Sequence, residues 1–85
     1  MYSDTRLEAL KFISKDLTSR QLDVISVLTQ LGEATTFTIA KSLDLPAHSV
    51  SGRITELRNL NLVRDSGQRQ INPASGIKSK VWVLV

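Results

Sequence analysis

The stretch from Thr36 to Asn61 constrains the fold most, because it predicts a short helix, a tight corner and a longer helix. Thr36 is expected to cap the first helix, since its side-chain oxygen can accept a hydrogen bond from an amide of the opening turn. Pro46 is expected to begin the second helix, because proline is favoured at a first helical position and pushes the preceding residue out of the helical region. Helical spacing predicts that the buried stripe of this second helix comprises Val50, Ile54, Leu57 and Leu60.

The opposite face of the second helix is small, polar and nearly uncharged. Its residues are His48, Ser49, Ser51, Gly52 and Thr55. Short side chains let a helix backbone come close to a groove, and hydroxyl groups can donate to or accept from base edges. Short polar residues also fill any solvated helix face, and helical corners occur in bundles, so this segment alone leaves DNA binding open.

Two further helices are predicted before the corner. The first runs from Thr5 to about Lys15, opens with a capping-box pattern, and is expected either to pack on the compact unit or to pair with a second copy of the chain. The second opens with Thr18 and Gln21 and ends at Gly32. Its core-facing stripe is predicted to contain Leu22, Ile25, Leu28 and Leu31, widened by Val24 and Val27.

After Asn61 the apolar periodicity changes from helical to strand-like. Residues 62–71 and 77–85 predict an antiparallel hairpin around turn residues 72–76, and residues 33–35 could add a short paired piece. An isolated hairpin is marginal in water, so Trp82 is the expected anchor on the helices. The predicted fold class is α+β and mainly α, with a three-helix core, a C-terminal two-stranded β-hairpin and an extra N-terminal helix. Residues 1–17 would form that helix and residues 18–85 the domain.

Composition argues against several classes of function. The 85 residues include no cysteine and one histidine, so neither a disulfide framework nor a metal site is predicted. No apolar run approaches the ~18 residues of a membrane span and nothing resembles a signal peptide, so a cytoplasmic protein that does not bind membranes is expected. No paired carboxylates or activated nucleophile are visible, so the chain is not expected to be an enzyme. Accordingly, no catalytic residue, cofactor or small-molecule substrate is predicted.

Positive charge is concentrated late in the chain. Residues 1–52 carry five basic and six acidic side chains, whereas residues 53–85 carry six basic and two acidic ones, within a net charge of +3. Such asymmetry is expected where phosphates are bound. A solvated hairpin rich in lysine and arginine would have the same composition, so charge alone does not decide the function.

Several segments resemble the winged helix-turn-helix superfamily of DNA-binding proteins. Residues 39–45, Ile-Ala-Lys-Ser-Leu-Asp-Leu, resemble its second helix, and residues 49–57, Ser-Val-Ser-Gly-Arg-Ile-Thr-Glu-Leu, resemble its recognition helix. Residues 60–63 resemble the passage into the wing, with Asn61 where glycine is usual. Gly67-Gln68-Arg69 and residues 76–82 resemble the wing of small bacterial phage and prophage members. The match covers about residues 18–84.

The resemblance implies a double-stranded DNA-binding protein, a transcriptional regulator, with the 46–61 helix in the major groove and the 62–85 hairpin as a basic wing. The groove-facing residues would be His48, Ser49, Ser51 and Gly52, with Thr55 on the same face. The wing would set Arg69, Lys78 and Lys80 near phosphates or the minor groove.

Two questions stay open at the level of sequence. Arg53 lies beside the buried stripe, so it is predicted either to contact a phosphate or to pair with Glu56 or a wing carbonyl. The superfamily also includes protein-interaction modules and phage replication or packaging factors, and a module without sequence-specific DNA readout is the alternative function.

Overall fold

The computed structural model describes residues 17–85. The helices are α1 (Ser19–Leu31), α2 (Thr36–Leu43) and α3 (Ala47–Asn59), and the strands are β1 (Glu33–Thr35), β2 (Val63–Ile71) and β3 (Lys78–Leu84). This arrangement confirms the predicted α+β, mainly α class. The predicted helix from Thr5 to about Lys15, and with it the predicted pairing of two copies, lies outside the described residues.

Helix α1 begins and ends where the sequence predicts. Thr18 and Gln21 form a capping box, in which the amide of Gln21 donates to Thr18 Oγ1 at 3.2 Å and the amide of Thr18 donates to Gln21 Oε1 at 2.9 Å. Gly32 ends the helix with a φ of 82°, and its amide donates to the carbonyl of Leu28 at 2.8 Å. Both helix ends are therefore set by local chemistry that can be read from the sequence.

The predicted stripe of α1 is wrong at its edges, because Leu22 and Leu31 are exposed. Nine residues of an α-helix span about two and a half turns, so these two leucines lie on opposite sides of the axis. The buried stripe consists of Val24, Ile25, Val27 and Leu28. The two valines that were expected to widen the stripe are therefore both part of it, with Val24 near its centre and Val27 at one edge.

Thr35, and not Thr36 as predicted, caps α2. The Oγ1 atom of Thr35 accepts from the amide of Thr38 at 3.2 Å. Thr36 is the first helical residue, and its own Oγ1 accepts a hydrogen bond from Trp82 Nε1 at 3.1 Å. Either threonine could serve as a cap, and the indole that approaches from the far end of the chain occupies the second one.

A three-residue corner joins α2 to α3. Asp44 ends α2 in the left-handed conformation with a φ of 56°, and the amide of Leu45 donates to the carbonyl of Ala40 at 2.9 Å. Pro46 is the cap residue immediately before α3, and its carbonyl accepts from the amide of Ser49 at 3.1 Å. Proline therefore lies at the start of α3, but as the cap residue and not at the first helical position that was predicted, which Ala47 occupies.

The inner face of α3 is the predicted stripe without its last member. Val50, Ile54 and Leu57 are buried, whereas Leu60 is exposed. Leu60 is the residue that ends the helix, and Asn61 follows it with a φ of 62°, so the chain turns away before a further helical position forms. Asparagine tolerates this left-handed conformation, which explains why it can stand where glycine is usual.

The hairpin belongs to a three-stranded antiparallel sheet with the order β1-β3-β2. Ala34 of β1 pairs with Trp82 of β3, so the short extended piece predicted before the corner adds a third strand to the predicted two. On the other edge Val63 pairs with Leu84, and the register of β2 shifts between Asp65 and Arg69. The sheet ties the end of the chain to the segment between α1 and α2.

One apolar cluster joins all three helices and the sheet. Trp82, Leu84 and Val63 pack with the inner faces of the three helices. Trp82 is buried, as expected for the anchor of the hairpin. This single core fixes α3 and the inner half of the hairpin relative to each other.

Candidate functional site

The outward face of α3 carries a polar stripe. His48, Ser51, Thr55 and Arg58 are exposed, and their spacings of three, four and three residues place them along one side of the helix. Ser49 and Gly52 are half-buried beside this stripe. The predicted groove-facing residues are therefore together on the face opposite Val50, Ile54 and Leu57.

Two members of this face have a specific local geometry. The hydroxyl of Thr55 donates to the carbonyl of Ser51 at 3.1 Å, so its oxygen is left mainly as an acceptor. At Gly52 the space that a Cβ would occupy is open, with no neighbouring side chain or other element within 4 Å. Nothing within the described fold therefore requires glycine at this position.

Arg53 pairs with Glu56, which was one of its two predicted roles. Its Nε and Nη2 atoms donate to the two carboxylate oxygens of Glu56, each at 2.8 Å. The side chain of Gln21 in α1 donates to the same carboxylate at 2.8 Å. These hydrogen bonds, from Arg53 first and then Gln21, hold the pKa of Glu56 below its ordinary value of 4.5. Glu56 thus links α1 to α3 and fixes the orientation of Arg53.

The three predicted wing cations lie on one face of the hairpin. Side chains alternate along a strand, so Lys78 and Lys80 share a face of β3 with Trp82. Arg69 pairs with Lys80 across the hairpin, and paired residues of an antiparallel sheet point to the same side. All three cations are exposed. The face that packs on the core at its inner end is therefore cationic at its outer end.

Arg69 and Lys80 have partners on that face. Arg69 Nη1 donates to Asp65 Oδ1 at 3.0 Å, and the amide of Gly67 donates to the same oxygen at 2.9 Å. The Gly67 amide is the main cause of a lowered pKa at Asp65, with Arg69 and Lys80 adding to it. Lys80 Nζ lies 5.8 Å from the centroid of the Trp82 ring. Of these three predicted wing cations, Lys78 is the one that makes no ion pair or ring contact within residues 17–85.

Sequence reasoning missed Arg58 as a member of the site. A cation in the last turn of a helix also interacts favourably with the helix dipole, so Arg58 taken alone does not indicate a contact with a partner. The structure places it in line with His48, Ser51 and Thr55, so the exposed stripe ends in a cation. The spacing of these four residues was the signal that could have identified it.

Residues 17–85 contain no group of three or more histidine, aspartate or glutamate side chains placed to hold a metal ion. No helix in the same range is long and apolar enough to cross a membrane.

Comparison with solved structures finds the same architecture in DNA-binding domains. The Zα domain of Carassius auratus PKZ, solved in complex with Z-DNA, is 26% identical with a TM-score of 0.62, over 78% of this chain and 92% of that domain. A MarR family transcriptional regulator from Silicibacter pomeroyi is 25% identical with a TM-score of 0.63, over 99% of this chain. BpsR of Bordetella bronchiseptica, whose DNA binding is regulated by 6-hydroxynicotinic acid, is 25% identical with a TM-score of 0.60, over 81% of this chain.

The extent of these matches differs between the two kinds of protein. The chain spans about half the length of the two bacterial regulators, 52% and 48%, but nearly all of the Zα domain. A scan against protein-family models found no match, and neither did a search of curated proteins. The helical corner, the three-stranded sheet and the projecting hairpin, shared with these solved domains, identify the chain as a member of the winged helix-turn-helix superfamily.

Proposed function

We propose that this chain binds double-stranded DNA and acts in the regulation of transcription. In this proposal α3 lies in the major groove and the β2–β3 hairpin follows the adjacent backbone as a basic wing. The observation that carries the proposal is that the polar stripe of α3 and the cationic face of the hairpin are both exposed while their inner ends share one core. A single rigid unit can therefore present both to one duplex.

The chemistry of α3 favours close approach with limited base readout. His48 and Ser51 can donate to or accept from base edges, and the oxygen of Thr55 can accept from an exocyclic amine. Gly52 lets the helix backbone come near the groove. Arg53 is held by Glu56, so it would act on DNA as an oriented phosphate contact and not as a flexible one.

Electrostatic attraction would come chiefly from the hairpin and the end of α3. Residues 66–85 include three cations and no acidic side chain. Because Asp65 offsets the charge of Arg69, we assign the phosphate contacts of the wing to Lys78 and Lys80. Arg58 adds a cation at the end of the α3 stripe. Each phosphate neutralised contributes about −0.9 to the slope of log affinity against log salt concentration.

The related structures support the proposal from two sides. The Zα domain, which matches along nearly its whole length, was solved in complex with Z-DNA. BpsR binds DNA, and the Silicibacter pomeroyi protein is a transcriptional regulator. Each shares the fold with this chain over about half of its own length. Regulation of transcription by this chain is accordingly inferred at the level of the shared domain, and the predicted phage or prophage origin and cytoplasmic location remain predictions.

Retention on genomic DNA fragments at two salt concentrations tests the proposal. We expect retention at low salt that falls steeply as salt is raised. The Lys78→Glu, Lys80→Glu variant should lose retention while keeping its helical circular dichroism spectrum, because neither lysine packs in the core. No detectable retention of the wild-type chain at low salt would contradict the proposal.

A protein-interaction module remains the second candidate, and one observation favours it. Within α3 the only cation before Arg58 is Arg53, and that residue is paired with Glu56. In this second candidate, the binding of a protein partner would not require the wing lysines. If the Lys78→Glu, Lys80→Glu variant and the wild-type chain both failed to retain DNA yet captured the same partner, the second candidate would replace the first.

A further inference from the structure

The outer half of the hairpin ends in two exposed isoleucines. Ile71 is 65% exposed and Ile77 is 67% exposed. They flank the turn, which is closed by a hydrogen bond from the amide of Asn72 to the carbonyl of Ile77 at 2.9 Å. No residue from 64 to 80 is buried, so neither isoleucine has core packing to complete.

Strand formation does not explain these two side chains. Threonine is also β-branched and favours strands, and it would leave less apolar surface in water. Each isoleucine would gain about 1.5–3 kcal/mol from full burial, and most of this is not realised within the described fold at these exposures. Their placement therefore indicates a surface that becomes buried in a complex.

The surroundings of the tip restrict what that partner can be. Ile71 pairs with Lys78 across the hairpin, and Arg69 pairs with Lys80 two residue pairs further in. No acidic residue follows Asp65. Side chains alternate along a strand, so the three cations share the face of Ile71, and Ile77 lies at the tip on the other face. A complementary partner must therefore carry closely spaced negative charges beside an apolar or aromatic surface that can meet the tip.

We propose that Ile71 and Ile77 form an apolar wedge that contacts the bases of DNA in the minor groove while Lys78 and Lys80 hold the flanking phosphates. The inference rests on the proposed DNA binding and specifies what the tip of the wing does there. Apolar side chains inserted at a base step partly unstack it and bend the duplex. The wedge would favour pyrimidine–purine steps such as TA, which unstack at the lowest cost.

An anionic membrane offers the same combination of charge and apolar surface, but the area is against it. A single myristoyl chain gives only marginal membrane binding, at about 0.8 kcal/mol for each buried methylene. Two isoleucine side chains offer fewer carbon atoms than one such chain. DNA, which adds many phosphates along α3 and the hairpin, is the partner that this surface fits better.

Fluorescence of 2-aminopurine tests the wedge. A duplex of about 30 base pairs, long enough to be bent locally, would carry the probe beside a central TA step. At saturating wild-type protein we expect the fluorescence to rise, because unstacking removes quenching. The Ile71→Thr, Ile77→Thr variant should bind about tenfold more weakly and give little rise at saturation. Leu31→Gln, which changes a 50% exposed leucine outside the hairpin, is the matched control and should behave as wild type.

The outcomes separate the wedge from DNA binding itself. Tight binding with equal fluorescence for the wild type and the isoleucine variant, or with no rise in either, would overturn the wedge and leave the proposed function standing. No binding of any duplex at low salt would overturn both. Co-sedimentation with phosphatidylserine vesicles that is lost in the isoleucine variant would assign the tip to a membrane and also overturn the wedge.

Discussion

Helix α3 and the β2–β3 hairpin expose different kinds of side chain to the solvent. The exposed stripe of α3 is small and polar with its cation at the end, whereas the outer hairpin is cationic with an apolar tip. α3 is supported along its whole inner face by Val50, Ile54 and Leu57. The hairpin packs on the core only near its base, through Val63, Trp82 and Leu84. The difference indicates a division of labour, in which α3 supplies shape and the hairpin supplies most of the electrostatic attraction.

The support beneath the two regions should differ most clearly in stability. Leu57→Ala removes a fully buried side chain under α3, and we expect the free energy of unfolding to fall by about 2–5 kcal/mol. Ile71→Thr in the outer hairpin should change it by less than about 0.5 kcal/mol. Urea denaturation of both variants measures this, and a comparable loss from Ile71→Thr would show that the hairpin tip is packed.

Salt dependence should distinguish the hairpin from α3. Lys78→Gln with Lys80→Gln should make the slope of log affinity against log salt shallower by about 0.9 for each lysine. Ser51→Ala should weaken binding at every salt concentration and leave the slope unchanged, since the hydroxyl carries no charge.

A matched control is available in α1. Arg20→Glu changes the net charge by the same amount as the two lysine substitutions, at a site paired with Asp23 and outside both regions. It should leave the slope nearer the wild-type value. If Arg20→Glu and the double lysine variant had equal slopes, net charge and not the hairpin would account for the binding.

Gly52→Ala should separate folding from binding within α3. Alanine favours helix interiors over glycine, and its Cβ meets no other part of the described fold, so stability should rise by about 0.5–1 kcal/mol. Binding to duplex DNA should weaken, because the new methyl group lies on the face that approaches the groove. Ser26→Ala, on the exposed side of α1, is the control that should not weaken binding. A Gly52→Ala variant that is more stable and binds as wild type would remove Gly52 from the interface.

The smallest expected effect concerns the support of Arg53. The folded-state pKa of Glu56 lies below its ordinary value of 4.5, so its contribution to stability is complete at neutral pH and is lost as the pH falls through the folded-state value. Glu56→Gln should lower stability at pH 7 and flatten the stability profile below about pH 4.5. Thermal unfolding at a series of acidic pH values measures this. If the stability of the variant fell with pH in parallel with that of the wild type, the Glu56 hydrogen bonds would not be the cause of the acid-induced loss of stability.

The sequence predicted the features that depend on neighbouring residues. Local backbone chemistry accounts for the capping box at Thr18 and the end of α1 at Gly32. It also accounts for the start of α3 just after Pro46 and for the left-handed conformation of Asn61. The order of elements follows from the change of apolar period after Asn61. The fold class was therefore accessible without coordinates.

Other features depend on distant partners and could not be read from the sequence. Thr35 caps α2, while Thr36 accepts a hydrogen bond from the indole of Trp82, which lies 46 residues later. Glu56 collects hydrogen bonds from its own helix and from Gln21, which lies 35 residues earlier. No periodicity reports such contacts, so the role of Arg53 could only be stated as two alternatives. The gathering of Arg69, Lys78 and Lys80 on one face likewise depends on the register of β2 against β3.

In the proposed complex the α3 stripe and the hairpin face form one DNA-binding surface. Titration of duplex DNA into isotopically labelled protein, followed by backbone amide chemical shifts, tests it most directly. We expect the largest shifts to fall together on residues 48–58 and 67–80, with small changes on the exposed side of α1. Shifts confined to one of the two regions, or largest on α1, would contradict it.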